Sequence, residues 1–169
     1  MSTQGTPVQA EVPRVMDAVR RIVRAARVVS RQNEKEIGIS GAQLYVLQEL
    51  SQQPAGSLND LAERTTTHQS SVSAVVSRLV ERGLVRREPS PEDARRVQIA
   101  LTKAGRDIVD SAPPSAQAQL VAGLKRMEPD DRRMLADLME RWLRESQVDT
   151  APAPFLFEDD APPGGTGDG

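Results

Sequence analysis

The chain has 169 residues, which fits one domain with appendages, and only 2% of them are aromatic, so any core must be aliphatic. It contains no cysteine, which excludes disulfides, thiolate metal sites, a cysteine nucleophile and thiol-based redox sensing. The formal net charge of -2 conceals an asymmetry: residues 14–96 carry 14 Lys/Arg against 10 Asp/Glu, whereas residues 97–169 carry 8 against 13. A local basic excess of that size permits a polyanionic partner without requiring one.

Residues 1–12 are rich in Ser, Thr, Gln and Gly and read as a disordered tail. From Pro13 the pattern changes. Val15, Val19, Ile22, Val23, Ala26 and Val29 recur at helical steps, which predicts an amphipathic helix to about Glu36. Its arginines read either as a solvated face or as a surface that contacts phosphate or lines an effector cavity; Arg20, Arg24 and Arg27 are the candidates for the latter. Ser40 and Gln43 then have the spacing of a capping box ahead of Leu44, Leu47 and Leu50, and Pro54 and Gly56 end that segment.

Ser57 and Asp60 open a short helix through Leu58, Leu61 and Ala62 to Arg64 or Thr65. Thr66 and Gln69 repeat the capping-box spacing, which predicts the start of the next helix. Val72, Val75, Val76, Leu79 and Val80 form its apolar stripe, and Gly83 its stop. The opposite side presents Gln69, Ser70, Ser73, Ala74, Ser77 and Arg78. A strand over Leu84–Arg87 and another over Arg96–Leu101 follow, joined by a charged loop with Pro89, Pro91, Glu92, Asp93 and Arg95.

Thr102 is a candidate cap for a further helical region, which Pro113-Pro114 must interrupt or kink. Pro129 leads into a last helix with Met134, Leu135, Leu138, Met139, Trp142 and Leu143. These helices carry more apolar surface than one small core hides, so pairing with the N-terminal helix across a twofold axis is expected, with a monomeric bundle as the alternative. From Gln147 the chain is rich in Pro, Gly, Asp and Ala and reads as a disordered acidic tail. Phe155-Leu156-Phe157 within it is either a docking motif or local adhesion to the body.

The expected fold is therefore mainly α with a small β-hairpin wing. The expected division is a tail over 1–12, helical dimerisation regions at 13–36 and 102–146, a winged helix-turn-helix domain at 37–101, and a tail over 147–169. A helix entering a DNA major groove needs compact polar side chains at its approaching end. Gln69, Ser70, Ser71, Ser73 and Ser77 suit that role, since Gln can pair with adenine and Ser with several edges or with phosphate; Arg78, nearer the exit, reads as a phosphate contact or a guanine reader, and His68 as a phosphate or base contact or an exposed turn residue. Arg95 is suited to a minor groove, with Arg86, Arg87 and Arg96 as backbone contacts and Asp93 orienting Arg95.

Leu61-Ala62-Glu63-Arg64, Ser71-Val72-Ser73, Arg78-Leu79, Arg82-Gly83-Leu84-Val85-Arg86-Arg87, Asp93-Ala94-Arg95-Arg96 and Leu101-Thr102-x-Ala104-Gly105 resemble the MarR family of winged-helix repressors. The resemblance spans residues 13–145. It implies a triangular homodimer with interlocked terminal helices, bound to a pseudo-palindromic operator in double-stranded DNA and released by a small aromatic or phenolic effector. Thr66 departs from the small turn residue frequent in the family, and Pro113-Pro114 departs in the helix after the wing.

No nucleophile-base set, phosphate loop or metal-ligand spacing is present, so an enzyme is not expected, nor a cofactor or metal. Activation or dual control stands beside repression, and a non-DNA protein-interaction module is the rival class. No signal pattern or long apolar run occurs, so no membrane partner and a cytoplasmic location are expected.

Overall fold

A computed structural model describes residues 8–90, 97–147 and 155. In chain order these form α1 (Val8–Ile37), α2 (Gly41–Gln52), α3 (Leu58–Thr65), α4 (Gln69–Glu81), β1 (Val85–Pro89), β2 (Val97–Leu101), α5 (Lys103–Ser111), α6 (Ala116–Lys125) and α7 (Pro129–Glu145). The fold is mainly α, with one two-stranded antiparallel sheet in which Val85 stands opposite Leu101 and Pro89 opposite Val97.

The core lies between α2, α3, α4 and the hairpin. Leu44, Val46, Leu47, Leu61, Val72, Val75, Val76 and Leu79 are fully enclosed in it. Each enclosed Leu or Val contributes roughly 1.5–3 kcal/mol of burial, so the aliphatic stripes are sufficient to place these helices without aromatic help. Ala55 joins the hairpin as a single bridge residue: its N–H donates to the Ile99 carbonyl at 2.9 Å, and the Ile99 N–H donates back at 2.7 Å.

Local chemistry sets most helix ends. Ser40 Oγ accepts from the Gln43 N–H while the Gln43 side chain accepts from the Ser40 N–H, completing the expected capping box. Ser57 Oγ accepts from the Asp60 N–H at 3.0 Å, and Asp60 in turn accepts from the Gly56 N–H at 2.9 Å. Gly83 takes a left-handed φ of 68°, and the Leu84 N–H reaches back to the Leu79 carbonyl, closing α4 as a Schellman turn. Pro113 and Pro114 fall in the break between α5 and α6. Gln48 holds that break by donating to the Pro113 carbonyl at 2.9 Å and accepting from the Ser115 N–H at 3.0 Å.

Three positions differ from the sequence expectations. The first helix starts at Val8, with Pro13 inside it. As the sixth residue of α1, Pro13 lies just past the first turn and forfeits one intrahelical amide bond, while Val12 and Val15 extend the apolar stripe. Thr66 does not cap α4; it ends α3 in the left-handed region at φ 53°, and His68 is the N-cap of α4, with no side-chain cap bond. Val80 stands 38% exposed, outside the buried stripe of α4. Phe155, in the acidic tail where docking or adhesion to the body was expected, is buried in the core cluster, its ring edge-on to Tyr45 with centroids 6.4 Å apart.

Candidate nucleic-acid interface

α4 is held from beneath by Val72, Val75, Val76 and Leu79. Its periodicity therefore turns Ser70, Ala74 and Ser77 outward one turn apart, with Ser73 half-buried between them. Gln69 and Arg78 flank this strip at opposite ends, both exposed, as is His68 at the N-cap. Ser71 is half-buried at the margin of the apolar face. The result is a convex ridge of small hydroxyl and methyl groups with one amide and one guanidinium at its edges. Such a ridge lets a helix backbone come close to base edges.

One side chain ties the helix before it to the end of α2. Arg64 on α3 donates to the backbone carbonyls of Glu49, Gln53 and Pro54, the last two at 3.1 and 3.4 Å. A cation set on the orphaned carbonyls at the end of α2 satisfies them and favours the negative helix end. At the far end of α4, Arg82 donates to the Gln43 side chain at 3.0 Å. The capping box of α2 thus also locks α4. Neither role was read from the sequence; the i, i+3 spacing of the cap was visible, whereas a partner 39 residues away was not.

In the wing, Arg86 is directed into the hairpin itself. Its Nε donates to Glu88 at 2.6 Å and its Nη1 to the Leu101 carbonyl at 3.3 Å, while Gln98 donates to the other Glu88 oxygen at 3.1 Å. The hydrogen bond from Arg86, then that from Gln98, holds the Glu88 carboxyl below its ordinary pKa, and Glu88 correspondingly raises that of Arg86. Arg87 is exposed. Asp93, Arg95 and Arg96 lie outside the described residues.

Arg20, Arg24 and Arg27 are all exposed on α1. Ala26, Ser30 and Asn33 set the buried face of α1, which leaves Arg24 opposite it and Arg20 and Arg27 on its exposed flank. A small cavity of about 60 Å³ between α1 and α6 is lined by Ile22, Ala25, Ala26, Val29, Ala116, Gln119 and Leu120. Among the described residues no group of three or more His, Asp or Glu could hold a metal ion, and no helix is long and apolar enough to cross a membrane.

Two short-linked helices, the second presenting a polar ridge, and a following β-hairpin together define a winged helix-turn-helix DNA-binding module. Residues 37–96 match the family model described as MarR family. An uncharacterised HTH-type transcriptional regulator of Mycobacterium leprae is 32% identical over 132 residues, covering 76% of this chain and 90% of that protein. The chain belongs to the MarR family of DNA-binding transcriptional regulators.

Solved structures agree on the fold. The transcriptional regulator BldR from Sulfolobus solfataricus superposes with a TM-score of 0.52 at 24% identity, covering 83% of this chain and 99% of that one. Bordetella bronchiseptica BpsR, whose DNA binding is regulated by 6-hydroxynicotinic acid, gives a TM-score of 0.50 at 28% identity over 76% of this chain and 98% of that chain.

Proposed function

We propose that this protein is a homodimeric repressor that reads a pseudo-palindromic operator and releases it on binding a small aromatic or phenolic effector. The observation that carries the dimer is α7. None of its residues is buried, and Met134, Leu135, Leu138, Met139 and Leu143 are exposed together with Val12, Val15 and Met16 of α1. Between these two helices runs an open apolar groove of about 520 Å³. A contiguous apolar surface of this kind calls for a partner, and a second copy supplies an identical pair of helices.

In the dimer, each α4 would enter a major groove, with the two helices separated by about 34–36 Å, one duplex turn. Gln69, Ser70, Ser71, Ser73 and Ser77 would face bases, with His68 and Arg78 serving bases or phosphate. Arg87, Arg95 and Arg96 would follow the backbone and minor groove beside the wing, with Asp93 orienting Arg95 and Arg86 bracing the hairpin. Effector control draws support from BpsR, as a relative whose DNA binding responds to a hydroxylated aromatic acid. An effector that prefers a dimer with another helix separation weakens operator binding through its differential affinity for the two states. The same geometry gives activation when the operator lies upstream of the promoter.

The experiment is an operator titration with wild type and Arg78→Ala across a salt series. A phosphate role predicts uniform weakening and a salt slope shallower by about one, whereas base reading predicts weakening confined to the cognate sequence. Unchanged affinity in Arg78→Ala on every DNA would remove Arg78 from the interface.

A further inference from the structure

The outward side of α4 is built largely from groups that do not choose a base. Ser70, Ser73 and Ser77 each carry one hydroxyl, which rotates to donate or to accept and so suits several base edges. Ala74 stands among them. Between Gln69 and Arg78 it is the only exposed apolar residue, because Val72, Val75 and Val76 are fully enclosed. Those valines fix the rotation of the helix and leave Ala74 almost opposite the buried face, at the middle of the ridge rather than its margin. Ser70 lies one turn before it, and Ser77 and Arg78 one turn after. At that spacing they are its neighbours on the helix surface, about 5–6 Å away between β-carbons.

We propose that Ala74 is a thymine reader whose methyl packs on the C5-methyl of one thymine in each operator half-site. In the major groove thymine is the one standard base that presents a methyl; cytosine shows only a hydrogen at the same carbon. Contact between the two methyls therefore selects T·A over C·G at the base pair beneath the helix centre. The flanking serines do not make that choice, since a hydroxyl finds a partner on either pair. They serve it differently: being small, Ser70 and Ser77 let the backbone come close enough for so short a side chain to reach a base. This deepens the proposed function, resting on α4 as the helix that enters the groove and naming the base read at its centre. Each buried methyl is expected to contribute about fourfold in affinity, and two half-sites together about fifteenfold.

The test selects duplexes from a random-sequence pool with the full chain, then replaces thymine by uracil one position at a time, symmetrically in both half-sites. Uracil lacks only the C5-methyl and keeps the O4 acceptor and the pairing of thymine. At one thymine position the double replacement should weaken wild type about fifteenfold. At that position Ala74→Ser and Ala74→Gly should bind the thymine and uracil duplexes equally. Alanine is also the best helix former, and a residue serving only that end would weaken every duplex alike when replaced. Uracil penalties that are the same in wild type and both variants at every position overturn the proposal, as does a selected site without thymine. Either result leaves the operator reading standing, whereas a chain that selects no sequence removes that reading and this proposal together. If Ala74→Gly does not fold, Ala74→Ser decides alone.

Discussion

Gly105 rests against the carbonyl oxygen of Leu84, so closely that a β-carbon at Gly105 would overlap that backbone atom. Leu84 is the residue whose N–H closes the Schellman turn at the end of α4. Thr102 completes the joint: its hydroxyl donates to the Gly83 carbonyl at 2.7 Å and accepts from the Gly105 N–H at 3.1 Å. The start of α5 is thereby fastened to the end of the candidate recognition helix.

Gly105→Ala should therefore destabilise the fold, even though alanine is the better helix former by about 1 kcal/mol. The clash is with backbone, which cannot swing aside, and overpacking of this kind costs about 1–3 kcal/mol. Thermal unfolding should show a lowered Tm. DNA affinity measured well below that Tm should also fall, because the end of α4 must shift.

Thr66→Gly should have the opposite sign. A non-glycine residue in the left-handed region costs about 1–2 kcal/mol, partly offset by the entropy glycine loses on folding. The variant also loses the part-buried bond that the Thr66 hydroxyl donates to the Thr65 carbonyl. A net gain of about 0.5–1 kcal/mol in denaturant unfolding is expected, and a loss of stability would show that this hydroxyl bond outweighs the strain.

Tyr45 is the only tyrosine, so ultraviolet titration at the phenolate band reports it alone. Burial, reinforced by Glu49, raises its pKa from 10.0 to about 12. The unfolded chain releases this proton first, so the stabilisation is fully present below pH 10 and is lost as pH rises from about 10 to about 12. The folded protein should show no phenolate signal at pH 10.5, whereas the denatured chain should already show it. Phenolate appearing near pH 10 in the folded state would place Tyr45 in contact with water.

Sequence reading was strongest where a rule is local. Ser40–Gln43 and Ser57–Asp60 satisfy amide donors three residues away, and both caps are formed in the structure. Thr66–Gln69 has similar spacing but fails, because the turn needs a left-handed residue at 66 and places the N-cap at His68. The polar ridge of α4 was legible from its periodicity. The ties that orient it were not, since Arg64, Arg82 and Gln48 act on backbone or side chains of distant segments. Phe155 stood out as an apolar residue in a Pro-, Gly- and Asp-rich stretch, but its partner Tyr45 did not, because such a stretch carries no periodic signal to say which face a ring meets.

In the proposed dimer, two copies of α4 read one operator together. Hydroxyl-radical footprinting of the full chain on DNA from its own promoter region tests that directly. Two protected patches are expected on one face of the duplex, centred about 10–10.5 base pairs apart. Both should vanish together in Leu138→Glu, which charges the exposed apolar face of α7 without touching α4. A single protected patch, or a footprint that Leu138→Glu leaves intact, would contradict the paired reading.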